Sequence, residues 1–143
     1  MTPGRRIDRV SERRHAGIGR VLIAVYAVLA IGATGRSFVQ IVQRFDEAPL
    51  AYTLSAVAAV VYIVATVALA MQRSETARKV ALAAVCFELA GVVVVGTLSL
   101  VAPELFGHPS VWSWFGIGYL FIPAVLPFLG LWWLRVSRER VAA

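Results

Sequence analysis

Four long apolar runs divide the chain, at about 20–42, 50–71, 80–101 and 111–136. Each supplies the roughly 20 residues that cross a ~30 Å hydrocarbon core at about 1.5 Å per residue. Each is apolar on nearly all sides, which separates a membrane span from an amphipathic surface helix. None alternates as a barrel strand does, and lipid admits only helices or closed barrels, so helices are expected. The connections, 43–49, 72–79 and 102–110, are short, which makes successive helices antiparallel neighbours. Pro49 suits the first turn of the second helix and Asp46 is a candidate cap for it. Pro103 follows the third run and Pro109 precedes the fourth, both as punctuation. The expected fold is all-α: a polytopic membrane protein, an antiparallel four-transmembrane-helix bundle over 20–136. A basic tail, 1–19, is expected to be disordered or to lie on the lipid surface, and a second cytoplasmic tail covers 137–143. No internal repeat is evident.

Composition supports lipid as the solvent. The chain has 143 residues, 59% hydrophobic and only 15% charged, with a mean hydropathy of +0.77. A soluble domain carries about a quarter charged residues. One domain fits this length, with no separate soluble module. All but one of the 14 basic residues are Arg, the exception being Lys79. Abundant Arg, Ala and Val with no Asn point to a GC-rich bacterial genome, and the lack of Asn excludes N-glycosylation.

The distribution of the +6 net charge gives the orientation. Arg5, Arg6, Arg9, Arg13, Arg14 and Arg20 precede the first run. Arg73, Arg78 and Lys79 occupy the middle connection, and Arg135, Arg138 and Arg140 follow the fourth run. Only Arg36 and Arg44 belong to the other side. The positive-inside rule therefore puts both termini and the middle connection in the cytoplasm of a bacterial inner membrane. Charge confined to the flanks of apolar runs fits topology and anionic headgroups better than nucleic acid, so no nucleic-acid partner is expected. Trp112 and Trp114 are expected in the outer aromatic belt, Trp132 and Trp133 in the inner one. The start has the outline of a signal peptide, and Arg5-Arg6 and Arg13-Arg14 that of a twin-arginine signal. The long first run, the three spans that follow and the incomplete motif favour an uncleaved span.

Few residues offer chemistry. Glu88 lies about eight residues into the third run, ~12 Å deep and close to the midplane. An acidic residue there costs at least ~2.5 kcal/mol by insertion scales. Its helical face carries Ala81, Ala84, Gly91 and Val95, small enough for close helix approach, so Glu88 is expected to face the interior. It can be a proton or cation site, an interhelical hydrogen bond to a tyrosine, or a contact with a partner subunit. Tyr62 is expected at the level of Glu88, and Tyr26 nearer the cytoplasm. Arg36 lies about 16 residues beyond Arg20, ~24 Å up. It can snorkel to the headgroups or join Thr34, Ser37, Ser55 or Tyr119 in a polar cluster. The difference in depth argues against a salt bridge to Glu88. Glu88, Tyr62 and Arg36 are thus the candidate intramembrane polar site. Pro123 and Pro127 are expected to kink the fourth helix, and Gly116 and Gly118 to permit close packing or bending.

No catalytic, cofactor or metal set converges. Cys86 is a lone cysteine in an apolar run, without a disulfide or zinc partner, and reads as a small apolar residue. His15 and His108 fall on opposite sides of the membrane, too far apart for a bis-histidine haem site. Glu104 and His108 alone make a weak metal signal. No serine sits in a nucleophile elbow and no glycine loop has Walker spacing.

Two four-helix families invite comparison. The small multidrug resistance transporters carry a membrane-embedded glutamate, but in their first helix, whereas Glu88 is in the third. Bacterial relatives of vitamin K epoxide reductase need a Cys-x-x-Cys pair, which a single Cys86 excludes. Gly35-Arg36-Ser37, Asp46-Glu47-Ala48-Pro49-Leu50-Ala51-Tyr52, Phe87-Glu88-Leu89 and Trp112-Ser113-Trp114-Phe115-Gly116 resemble stretches of small integral membrane proteins of actinobacteria. That resemblance touches most of the chain and carries over no activity and no site. The expected function is a non-enzymatic accessory or structural membrane protein. Its partners are the lipid bilayer and either a second copy or a larger membrane complex, and it needs no cofactor. The alternative is a small proton-coupled carrier using Glu88.

Overall fold

Long stretches of Ala, Val, Leu and Ile carry the chain into four principal helices. The protein is seen here in a computed structural model that describes residues 3–71 and 73–142. Gln72 and the side chains of Arg5, Arg6, Arg138 and Arg140, part of the charge pattern above or its connections, lie outside what it describes. Helix α1 spans Pro3–Arg44, α2 Pro49–Ala70, α3 Glu75–Val101 and α4 Ile122–Ala142. No strand occurs among the described residues. Three helices are long and apolar enough to cross a membrane; a fourth crossing exists if the segment Ser113–Tyr119 and the following helix count as one bent span.

The starts of α2 and α3 are locally encoded. Pro49 occupies the first turn of α2, where its missing N–H goes unneeded. Asp46, a candidate cap, instead lies in the short turn Phe45–Glu47, and Ala48 is the residue before the helix, with no side-chain cap. At α3, Ser74 Oγ accepts from Ala77 N at 3.5 Å, and Glu75 complements the positive end of the helix dipole.

Buried positions recur in steps of four and three. They are Ala51, Ser55, Ala58, Tyr62, Ala65 and Leu69 on α2, and Ala81, Val85, Glu88, Val92, Val95 and Ser99 on α3. On α1 they are Leu22, Tyr26, Leu29, Ala33 and Ser37. This near-3.5 repeat keeps one seam of each helix turned to its neighbours, and its small residues let backbones approach closely. Helix α1 packs most extensively on α2 and α2 next on α3; α3 also receives α4 and the bent segment. The exterior is apolar, with Val28, Ile31, Phe38, Val94 and Val101 exposed and Cys86 pointing outward. Such a surface suits a hydrocarbon solvent.

Two expectations are corrected. Residues 3–19, expected to be disordered or to lie on the lipid surface, continue α1 without a break, and residues 137–142, expected as a tail, continue α4. Arg, Glu and Ala propagate an existing helix well, and tertiary contacts hold the α1 extension. Gly19 receives the Trp133 indole, whose Nε1 donates to His15 O at 3.1 Å. The His15 ring stacks on Trp133 and places Nε2 at 2.6 Å from Ser137 Oγ. Arg78 donates to Leu134 O nearby. This end of the molecule is called proximal; the end carrying residues 45–48 and 102–112 is distal.

The second correction concerns 111–136, expected as one helix. The segment Ser113–Tyr119 and α4 meet at 96°. Trp114, Phe115 and Gly116 adopt left-handed backbone, as do Leu120 and Phe121. Outside glycine this conformation costs about 1–2 kcal/mol per residue. Contacts with α3 offset that cost: the Phe115 ring occupies the space beside Gly96, and the Trp112 ring the space beside Gly91. Trp112 and Trp133 are therefore buried, not belt residues, whereas Trp114 and Trp132 are exposed. Pro127 lies inside α4, and the break comes before Pro123.

A glycine pair tests this packing. Gly96→Ala would drive a Cβ into the Phe115 ring, whereas Gly35 has open space around it. Gly96→Ala is expected to destabilise by about 1–3 kcal/mol, and Gly35→Ala to be neutral or stabilising by up to about 1 kcal/mol, as measured by SDS-induced unfolding in mixed micelles. Equal effects would contradict the seating of Phe115.

Candidate functional site

Glu88 sits on the α3 seam with no exposed surface. The seam turns it toward α1, where Tyr26 OH donates to Glu88 Oε2 at 2.6 Å. The second oxygen, Oε1, is buried and has no hydrogen-bond partner among the described residues. Small neighbours permit this arrangement. Ala81 and Ala84 flank Glu88 on α3, and on α4 Gly130 lies against Val85 and the Tyr26 hydroxyl. A side chain at 130 would crowd the oxygen that serves the carboxyl.

The expected tyrosine is not the donor. Side chains on a helix lean toward its N-terminus. Glu88 therefore leans toward the Glu75 end of α3, the level of Tyr26. Tyr62 leans toward the Pro49 end of α2 and accepts from Trp112 Nε1 at 3.0 Å. The Tyr26 and Tyr62 rings remain neighbours, with centroids 6.3 Å apart. The result is a buried row, Glu88–Tyr26–Tyr62–Trp112, that joins three helices and the bent segment. Its distal end is closed by the Trp112 ring, which lies against Gly91 and tilts on Phe87 at 6.3 Å.

Arg36, the third candidate, belongs elsewhere. It is half-buried near the distal end, and its Nη2 donates to Pro109 O at 3.0 Å. The polar cluster with Ser37 and Ser55 does not form. Ser55 Oγ accepts from Val111 N at 3.1 Å, while Ser37 Oγ has no partner among the described residues. Arg36 and Ser55 thus both anchor the chain that leads into the bent segment. Ser110 and Ser113 tighten that entry: Ser113 Oγ accepts from Ser110 N at 2.8 Å and lies 2.9 Å from Ser110 Oγ. At the distal surface His108 pairs with Glu47 at 3.5 Å and stacks on Tyr52, so its carboxylate neighbour is Glu47, not Glu104. No group of three or more His, Cys, Asp or Glu residues is placed to hold a metal among the described residues.

The sequence reading missed Tyr26 as the donor and Trp112 as a core residue. Gly91 and Gly96 on α3, opposite the aromatic run Trp112–Phe115, are the signal that points to Trp112. A comparison of the chain with protein-family models, curated proteins and solved structures finds no match.

Tyr26→Phe leaves both Glu88 oxygens without a donor and is expected to cost about 1–3 kcal/mol of unfolding free energy. Tyr62→Phe removes only the acceptor of one indole N–H and should cost less, about 0.6 kcal/mol. The same mixed-micelle unfolding ranks the two. A larger loss for Tyr62→Phe would mean that Tyr62 and not Tyr26 holds the carboxyl.

Proposed function

We propose that the chain is a multi-pass protein of the bacterial plasma membrane, an antiparallel four-helix bundle with both termini in the cytoplasm. In this reading it serves as a non-enzymatic accessory or structural subunit that packs against a second copy or a larger membrane complex. The observation that carries the reading is the Tyr26–Glu88 hydrogen bond, which spends the one deep carboxyl on fastening α1 to α3. Orientation rests on Arg20, Arg73, Arg78, Lys79 and Arg135 at the proximal end, against Arg36 and Arg44 toward the distal end. The bent segment and α4 together make the fourth crossing. The apolar flanks of the helices fit either lipid or another membrane subunit, since both are equally greasy.

A second reading, a small proton-coupled carrier using Glu88, is favoured by one observation. Glu88 Oε1 is buried without a donor among the described residues. A fastener needs only the oxygen that Tyr26 engages, whereas a free oxygen is a seat for a proton.

Native mass spectrometry of the full chain, tagged and extracted in mild detergent, separates the readings. A stoichiometric foreign subunit or a stable homo-oligomer is the expected result; a lone monomer would overturn the accessory reading. Glu88→Gln keeps an acceptor for Tyr26 but cannot titrate. Stability is expected to hold within about 1 kcal/mol, with assembly unchanged. Loss of pH-driven solute uptake in this variant, with assembly intact, would instead establish the carrier.

A further inference from the structure

We propose that residues 110–121 form a removable stopper over Glu88, closed by the Trp112 ring, so that the carboxyl is reached from the distal face. This rests on the second reading, in which Glu88 carries a proton.

Three observations bear on it. Glu88 lies one helical turn from Gly91, about 4.5 Å along α3, and the Trp112 ring fills the space that Gly91 leaves. The ring thus closes the distal end of the row that leads through Tyr62 and Tyr26 to a carboxyl whose Oε1 has no partner among the described residues. Next, the segment is a short 3-10 turn and not a continuation of the α4 helix. Its backbone passes through left-handed residues at Trp114, Phe115, Leu120 and Phe121 and turns by 96° into α4. Non-glycine residues persist in that conformation only while their surroundings hold them there, and such segments have a ready alternative. Finally, its polar anchors are discrete and at the distal end: Trp112 Nε1 to Tyr62 OH, Val111 N to Ser55 Oγ, and Arg36 Nη2 to Pro109 O. Releasing these, together with the ring contacts at Gly91 and Gly96, frees the indole.

Withdrawal of Trp112 exposes Tyr62 OH and the Gly91 surface to distal water, and so opens the row that leads through Tyr26 to the carboxyl. The proximal route is blocked differently, by Trp133 on Gly19 and the His15 stack, which are parts of continuous helices. In this proposal the opening side is the distal one, and Trp112 is a positioning residue that governs access to Glu88.

The test is chemical reactivity of the purified full chain in mild detergent. An apolar carbodiimide and a water-soluble carbodiimide are applied separately, and the fraction of the Glu88-bearing peptide modified is read by mass spectrometry, with Glu88→Gln as the blank. In the unmodified protein the apolar reagent is expected to label Glu88 and the water-soluble one barely to do so. Trp112→Ala should raise water-soluble labelling by about tenfold or more, the size expected when a minor open state becomes dominant. Ser55→Ala keeps the ring but removes the acceptor of Val111 N–H, and should give a smaller rise. It decides the matter if Trp112→Ala does not fold. No rise in Ser55→Ala or in folded Trp112→Ala, while the apolar reagent still labels Glu88, overturns the stopper and leaves the proton-carrying reading standing. Failure of the apolar reagent on the unmodified protein overturns that reading and the stopper with it.

Discussion

A carboxyl group as fully buried as Glu88 must find its donors inside the protein, because an apolar interior supplies none. The Tyr26 hydroxyl meets that demand, and much of the packing follows from it. A 2.6 Å contact between side chains on α1 and α3 needs backbones close enough for the two to meet. The small residues on the seams, Ala30 and Ala33 on α1 and Ala81 and Ala84 on α3, allow it. Gly130 leaves room for the same hydroxyl from the side of α4. For helices long and apolar enough to cross a membrane, close shape and a few buried hydrogen bonds are the interactions that hold helix to helix in lipid.

The distal half obeys a different constraint. Instead of completing a fourth helix, the chain inserts two aromatic rings into gaps that Gly91 and Gly96 leave on α3. The left-handed turn through Trp114–Gly116 is the geometric consequence, since a right-handed continuation would turn these rings in other directions. Arg36 and Ser55 hold the entry to this segment. The same Trp112 that fills the gap also donates to Tyr62, so the distal wedge and the Glu88 row are one connected network.

At the proximal end, contacts explain why the basic start of the chain is helical. An isolated helical extension of this length is marginal. The stacked His15 and Trp133 rings, the Gly19 contact and the neighbouring Ser137 tie it to α4. Among the described side chains of this extension, Arg9, Arg13 and Arg14 are exposed.

Hydropathy and charge are sums over a segment, and for that reason the sequence by itself determined the helical class, the limits of α2 and the apolar core of α3, and the inward setting of Glu88. The small residues at helical spacing around Glu88 were enough to assign its face. The identity of its donor was not legible, because Tyr26 and Tyr62 are equally apt in type, and only the lean of each side chain in the packed structure separates them. The break within 111–136 was equally hidden. Gly116, Gly118, Pro123 and Pro127 marked 111–136 as a poor helix, but a left-handed turn is stable only where Gly91 and Gly96 of another helix make room for its rings. The tertiary structure decided those two features, since each depends on space that a distant part of the chain leaves open.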